Sequence, residues 1–198
     1  MAMQELVRSV RLDPGQSACV ASVSAYLRWE VAGSVRRAQK TVGDIEHVIW
    51  PARASTEVLF GETGPAVNLV RAVLDQLIWH GRIAWHVYSD GRMRRGDRYL
   101  GVDLDGRRHE LFMCDADNWG LILAIRTGPA DWSRWMVTHL KRMGYACRDG
   151  RLYKARRFGG EDPEALAVDE QSPPVPVPDE QTLFQLMRME FIPPEARR

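Results

Sequence analysis

Apolar residues recur along this chain with two periods, and the periods predict where helices and strands lie. Val67, Val70 and Leu74 follow helical spacing, which predicts an amphipathic helix that ends before Gly81. Shorter apolar runs bounded by glycine or proline predict strands. The predicted helices cover residues 16–27, 65–80, 116–125, 131–143 and 180–189, and the predicted strands cover residues 29–32, 44–50, 83–88, 98–104, 107–114, 145–148 and 151–154.

The order of the predicted elements changes near Asp115, which indicates two domains. Strands and helices are mixed before this point, whereas two helices and a small hairpin follow it. Residues 159–178 are polar and rich in proline, so we expect an extended connector there. These elements favour the α+β fold class, with domains over residues 1–115 and 116–198.

The composition excludes several classes of protein. Of the 198 residues, 45% are hydrophobic and 27% are charged, which is the balance of a globular protein. The three cysteines, Cys19, Cys114 and Cys147, show no CxxC spacing, so we expect a reducing compartment and neither a zinc site nor disulfides. The sequence shows no signal-peptide core and no apolar run of about 18 residues. We therefore expect a cytoplasmic protein without membrane contact.

The formal net charge is only +1, but arginine and lysine are concentrated in two stretches. Residues 92–108 carry six arginines, and residues 134–157 carry eight arginines and lysines against a single acid, Asp149. Such stretches are either solvated faces or local surfaces for phosphate groups. The sequence leaves both interpretations open.

A glycine–serine turn followed by arginines and acids is the first candidate for chemistry. It reads Gly-Ser-Val-Arg-Arg at residues 33–37, and Gly-Asp-Ile-Glu follows at residues 43–46. Because residues i and i+2 of a strand point to the same face, Asp44 and Glu46 would converge on one cation site. Hard divalent cations such as Mg²⁺ bind carboxylate and phosphate oxygens. The stretch therefore predicts a site for a nucleoside triphosphate and its metal ions.

A third acid lies on the hairpin predicted across Asp105-Gly106. Alternation along the second strand places Arg108, Glu110 and Phe112 on one face. If this strand lies beside the strand that starts at Asp44, Glu110 completes the acidic cluster, as two-metal chemistry requires. The alternative is that Glu110 is an exposed strand acid without a chemical role.

The order of these motifs resembles that of the polymerase-beta-like nucleotidyltransferases, the family X DNA polymerases. After Gly-Ser-x-Arg-Arg and Gly-Asp-x-acid come Arg-x-acid-Leu at residues 108–111 and Thr-Gly at residues 127–128, ahead of a helix. Glu180, Leu183-Phe184 and residues 194–197 resemble the closing segment of the family. The likeness spans residues 29–198 and is greatest to short, phage-type members that lack the lyase domain.

This resemblance implies a DNA polymerase. The enzyme would transfer a nucleotide from a (d)NTP to the 3′-hydroxyl of a primer–template, with two Mg²⁺ ions or with Mn²⁺ in their place, in DNA repair or gap filling. Residues 1–115 would be the nucleotidyltransferase palm domain, and residues 116–198 would be a thumb-like domain that clamps nucleotide and DNA. We expect a monomer, located in the host cytoplasm if a phage encodes it.

The resemblance also implies roles for individual residues. The catalytic residues and metal ligands would be Asp44, Glu46 and Glu110. The nucleotide-binding residues would be Gly33, Ser34, Arg37, Gly43, Arg126, Thr127 and Gly128. The DNA-binding residues would be Arg108, near the primer end, and Ser133 and Arg134, facing base or template.

Several positions depart from the family pattern. Glu46 and Glu110 stand where aspartate is commoner, and Ile125-Arg126 replaces the usual aromatic pair, which leaves the sugar preference open. In the family the peptide after the Thr-Gly glycine is often cis, and a cis bond costs least before proline, so we expect Gly128–Pro129 to be cis. Two alternatives to a template-dependent polymerase remain: a template-independent nucleotidyltransferase acting on nucleic acid ends, and a catalytically inactive nucleic-acid-binding homologue.

Overall fold

The computed structural model describes residues 2–10, 24–55, 64–157, 166–168 and 172–198, and these form a mixed α+β structure. The chain divides into two compact units, which comprise residues 1–30 with 43–113, and residues 31–42 with 114–198. The division after Met113 lies close to the predicted boundary. Residues 31–42, which the sequence placed in the first domain, belong to the second unit instead.

The first unit holds most of the strands. Its elements are α1 (Met3–Ser9), β1 (Tyr26–Val31), β2 (Ile45–Pro51), β3 (Arg53–Ala54), β4 (Val67–Asn68), α3 (Leu69–Trp79), β5 (Ala84–Trp85), β6 (Tyr99–Leu104) and β7 (Arg107–Met113). Helix α2 (Gly33–Arg36) and the last residue of β1 belong to the second unit. Strands β1, β2, β7, β6 and β5 form one sheet in that order.

The register of the central strands decides which side chains are neighbours. Strand β2 is parallel to β7, with Glu46 opposite Glu110, and β6 is antiparallel to β7, with Gly101 opposite Glu110. The other face of the sheet, which includes Leu100 and Leu111, packs in a core with residues of α1 and α3. Burial of this apolar face fixes the register, because a slip of one residue would turn the acids into the core.

Some predicted elements of the first unit have different bounds. The helix predicted over residues 16–27 falls largely on residues 11–23, which lie outside the described part, and Leu27 belongs to β1. Helix α3 starts four residues later than predicted, at Leu69, because the Asn68 side chain caps it by accepting a hydrogen bond from the Arg71 amide at 3.2 Å. Strand β5 is shorter than predicted, because the chain leaves the sheet edge after His86.

The second unit is built from helices and a small sheet. Its elements are α2 (Gly33–Arg36), α4 (Trp119–Thr127), α5 (Ala130–Arg142), β8 (Tyr145–Arg148), β9 (Arg151–Arg157), β10 (Leu166–Val168), α6 (Glu180–Leu186) and a short 3-10 helix (Pro194–Ala196). Strands β10, β9 and β8 are antiparallel neighbours in that order. Its core is centred on Trp132, Met136, Leu183 and Phe184.

Direct observations bear on the sequence expectations for this unit. Asp179 caps α6, because its carboxylate accepts a hydrogen bond from the Thr182 amide at 2.7 Å. Helix α4 begins at Trp119, three residues later than predicted, with Asn118 at the cap position. The prediction of a cis Gly128–Pro129 bond is wrong, since the described residues contain no cis peptide bond. Strand β10 lies within the stretch expected to be an extended connector.

Glycine 120 allows α4 to approach the segment that leads into α6. Its amide donates a hydrogen bond to the Val177 carbonyl at 2.8 Å. A methyl group at this position would overlap the main chain of Asp179. The close packing of α4 against the start of α6 therefore depends on the absence of a side chain at Gly120.

Among the described helices, none combines the length and the apolar character needed to cross a bilayer.

Candidate functional site

The candidate acids of the first unit lie on the face of the sheet opposite the α1–α3 core. Glu46 and Glu110 are direct register partners on the parallel strands β2 and β7, so their side chains leave the sheet on the same side. Asp44 comes immediately before β2 and two residues before Glu46. The condition that the sequence left open, that the Glu110 strand lies beside the strand after Asp44, is met by this pairing.

Arg108 lies between two of these acids. Its Nη2 contacts the Asp44 carboxylate, and its Nε lies 3.4 Å from Glu110 Oε1. The hydrogen bond to Asp44, together with the charges of Asp44 and Glu110, raises the pKa of Arg108. The guanidinium is thus a positive partner for a carboxylate-rich face. Among the residues that the structure describes, no group of three or more His, Cys, Asp or Glu side chains is placed to hold a metal ion with these rotamers.

Two tyrosines border Glu110, and the sequence interpretation missed both. The Tyr88 hydroxyl donates to Glu110 Oε1 at 3.3 Å and also hydrogen-bonds the Tyr99 hydroxyl. Burial raises the pKa of both tyrosines above the ordinary value, and the Glu110 carboxylate adds to this shift. The only sequence signal for this contact was Gly101, because an isolated glycine inside an apolar strand often marks a close approach.

A buried chain of three rings lies behind the acids, on the core side of the sheet. Trp29 Nε1 donates to His47 Nδ1 at 3.1 Å, and His47 Nε2 lies 2.9 Å from His109 Nδ1. Burial and the neighbouring His109 lower the pKa of His47 to about 3, and burial lowers the pKa of His109. A neutral His47 that accepts at Nδ1 carries its proton on Nε2, so it donates to His109.

Both arginines of the Gly-Ser motif bond to Thr127 within the second unit, and Arg36 also pairs with Glu180. Arg36 makes a two-point ion pair with Glu180, at 2.9 and 2.8 Å, and donates to the Thr127 hydroxyl at 2.8 Å. Arg37 donates to the Thr127 carbonyl oxygen. Gly33 adopts a positive φ of 62°, which glycine tolerates best, and Ser34 is partly exposed on α2. Arg36 therefore has a structural role that the motif alone does not reveal.

The other predicted nucleotide-binding residues differ in accessibility. Thr127 is completely buried, so its side chain is an internal contact of the second unit and not a surface for a ligand. Arg126 and Gly128 flank it at the end of α4 and are partly exposed. Gly128 lies against the Trp132 indole, which a methyl group there would overlap. Gly43, in the first unit, is exposed, and a methyl group there would meet no neighbour among the described residues.

The two predicted DNA-binding residues of α5 also differ. The Ser133 hydroxyl donates to the Ile125 carbonyl at 2.7 Å, so it is used inside the unit. Arg134 is 74% exposed and pairs with Asp131 on the same helix. Arg134 is therefore the member of this pair that a nucleic acid would reach.

Known sequences add no further information on this site. No protein-family model matches the chain, and no curated protein is similar to it. The motifs, contacts and burial of the chain itself are therefore the basis for assigning a function.

Proposed function

We propose that this protein is a metal-dependent nucleotidyltransferase of family X type, which extends the 3′-hydroxyl of a primer with a nucleotide from a (d)NTP. One observation carries the proposal: Glu46 and Glu110, from strands separated in sequence, are register partners on one face of the sheet, which Asp44 and Arg108 share. Such a carboxylate pair is the arrangement on which two-metal phosphoryl transfer depends.

The chemistry of these donors fits a divalent cation. Carboxylate oxygens are the ligands that Mg²⁺ and Mn²⁺ prefer, and neighbouring carboxylates repel each other unless a cation lies close by. Arg108 supplies a positive charge of this kind, through its contacts with Asp44 and Glu110. A bound metal would neutralise phosphate charge and orient the reacting groups. We infer that Arg108 gives up at least part of its contact with the acids when the cation binds.

The nucleotide contacts are assigned to the second unit. Ser34 and Arg37 are partly exposed on and just after α2, and Arg126 and Gly128 are partly exposed at the end of α4. An arginine guanidinium binds phosphate oxygens through several N–H donors. Arg36 uses its guanidinium in a two-point ion pair with Glu180, whereas Arg37 donates through Nη1 to the Thr127 carbonyl, so Arg37 is the arginine of this pair that we assign to the triphosphate.

A primer-extension assay tests the proposal directly. The wild-type protein would be given a primer–template and each dNTP or NTP in turn, with Mg²⁺ and then with Mn²⁺. We expect incorporation by the wild type and a loss of at least about 100-fold in Asp44→Asn and Glu110→Gln, because each change removes charge that stabilises the transferred phosphoryl group. The matched control is Glu5→Gln, an exposed acid of the same unit, which should retain full activity.

The same assay separates the two other functions. Incorporation that ignores the template base would favour a nucleotidyltransferase acting on nucleic acid ends. The contact of Arg108 with both Asp44 and Glu110 favours, as a second candidate, an inactive homologue in which an arginine permanently replaces the metal. Binding of primer–template with no incorporation under any of these conditions would support the inactive homologue and contradict the polymerase.

A further inference from the structure

We propose that Tyr88 is a positioning residue for Glu110, and that Gly101 provides the space that allows it. This inference rests on the proposed function, since it concerns a carboxylate assigned there to a metal ion. Tyr88 lies outside every motif of the chain and precedes Glu110 by 22 residues.

The main chain delivers Tyr88 to the sheet. His86 donates its amide to the Gly101 carbonyl at 2.9 Å, and Gly101 donates its amide to the Arg94 carbonyl at 3.0 Å. Between these two bonds the chain leaves the edge of β6 and returns to it, with Val87 and Met93 paired across the excursion. Tyr88 is fixed within it, because its amide donates to the Arg92 carbonyl at 2.9 Å.

Gly101 makes room for the Tyr88 hydroxyl on the acidic face. It is the direct register partner of Glu110 on β6, so a side chain at position 101 would leave the sheet on the same side as the Glu110 carboxylate. A methyl group built on Gly101 would overlap the Tyr88 hydroxyl and ring. The hydroxyl therefore occupies the place of the missing side chain, beside the carboxylate.

Neighbouring rings and cations hold the phenol in this position. The Tyr99 hydroxyl bonds the Tyr88 hydroxyl, and the Tyr99 ring stacks on its register partner Phe112 with centroids 4.8 Å apart. The guanidinium groups of Arg94 and Arg108 lie 5.1 and 5.8 Å from the centre of the Tyr88 ring, a distance at which they attract its π electrons. The donor that meets Glu110 is therefore itself restrained.

This restraint limits the conformational freedom of the glutamate side chain at position 110. Glutamate has one more rotatable bond than aspartate, so its carboxylate loses more conformational freedom when it binds a cation. The Tyr88 hydroxyl donates to Oε1 of Glu110 at 3.3 Å, which restricts the rotation of this carboxylate. Outer hydrogen bonds of this kind orient carboxylate ligands and influence metal affinity.

A double-mutant cycle measured by Mn²⁺ binding tests the assignment without requiring turnover. Electron paramagnetic resonance gives the Mn²⁺ Kd of the wild type, Tyr88→Phe, Glu110→Asp and the double variant. We expect Tyr88→Phe to weaken Mn²⁺ binding by about 10-fold in the Glu110 background. In the Glu110→Asp background the same change should alter the Kd by less than about 2-fold, because the shorter side chain no longer reaches the phenol.

Two further variants separate positioning from general damage to the fold. Tyr99→Phe removes the hydroxyl that supports Tyr88 and should weaken Mn²⁺ binding in the same direction by a smaller factor. Tyr153→Phe, a matched change on β9 of the second unit, should leave the Kd unchanged. In primer extension, Tyr88→Phe should lower kcat while the KM for the nucleotide stays the same.

The outcomes distinguish the positioning role of Tyr88 from the proposed polymerase activity. An equal effect of Tyr88→Phe in both backgrounds, or no effect in either, overturns the positioning role. Coupling between Tyr88 and Glu110 in Mn²⁺ binding, with no incorporation by the wild type, supports the positioning role and overturns the polymerase. A wild-type protein that does not bind Mn²⁺ overturns both.

Discussion

Glu180 offers the sharpest test of what holds the second unit together. Its side chain is 6% exposed and is bound on both sides by arginines, Arg36 at 20% exposure and Arg197 at 0%. Arg197 is further surrounded by Trp132 and Phe184, whose ring centres lie 6.0 and 5.4 Å from its guanidinium carbon. A substitution at position 180 therefore leaves a fully buried cation without its counter-charge.

The expected size of the effect follows from this burial. Breaking a buried ion pair by removing one partner typically costs about 3–5 kcal/mol, and we expect Glu180→Ala to lower the free energy of unfolding by about this amount. Glu180→Gln keeps an acceptor oxygen but loses the charge, so its cost should be smaller, about 1.5–3 kcal/mol. Glu190→Gln, an exposed acid nearby in sequence, should change stability by less than about 0.5 kcal/mol.

Urea unfolding followed by tryptophan fluorescence measures these differences, since Trp119 and Trp132 are buried in this unit. The comparison requires equal m-values, which show that the same surface is exposed on unfolding in each variant. A cost below about 1 kcal/mol for Glu180→Ala would refute the reasoning, because that is the value of an exposed pair.

The ion pair also sets a pH dependence with a defined sign. Burial alone would raise the pKa of Glu180, but the hydrogen bonds and charges of Arg36 and Arg197 outweigh this effect, so the folded-state pKa lies below the ordinary value of 4.5. The stabilisation that the Glu180 ion pairs provide is therefore fully present above about pH 4.5, and it is lost as the pH falls through the lower folded-state pKa. In Glu180→Gln this component of acid sensitivity should be absent.

Three other predictions concern the remaining contacts. The pKa of His47 is lowered to about 3 in the folded protein, so its side chain is neutral there. Its contribution to the free energy of unfolding should be fully present above about pH 6.5 and should decrease as the pH falls toward 3. The urea midpoints measured at pH 7.5 and pH 5 should therefore differ less in His47→Leu than in the wild type. Gly120→Ala should destabilise the protein by about 1–3 kcal/mol through overlap with the main chain. Gly96→Ala should be near neutral in the same unfolding assay, because a methyl group there would lie 3.6 Å from the Tyr99 carbonyl oxygen, an ordinary contact distance. Arg108→Met should tighten Mn²⁺ binding by about 10-fold, because it removes a cation that competes for Asp44; weaker binding would contradict that competition.

The sequence predicted most of the elements because their periods are local. Alternation alone placed Glu110 on the same face as Arg108, and the register of β6 and β7 agrees with this. Alternation could not decide which strand lies beside β7, since β2 pairs with it across 64 residues of sequence, from Glu46 to Glu110. That neighbour relation results from the packing of the whole sheet, not from any short pattern.

Contacts between distant residues account for what the motifs missed. Arg36 is part of the predicted phosphate-binding motif, but it pairs with Glu180, which is 144 residues away in sequence. A local sequence pattern cannot predict a contact between residues so far apart. Tyr88 lies in an excursion from the sheet edge, where periodicity carries no information. For Thr127, the motif indicated a ligand contact, whereas burial in the second unit turns its hydroxyl toward Arg36.

The assignment of residues 31–42 to the second unit has a consequence for biosynthesis. The backbone enters that unit early, returns to the first, and enters it again after Met113. Arg36 leaves the ribosome 144 residues before Glu180, which at typical elongation rates is a delay of roughly 7 to 30 seconds. During this interval α2 is without its carboxylate anchor, so a nascent chain arrested before α6 should expose this segment to proteases.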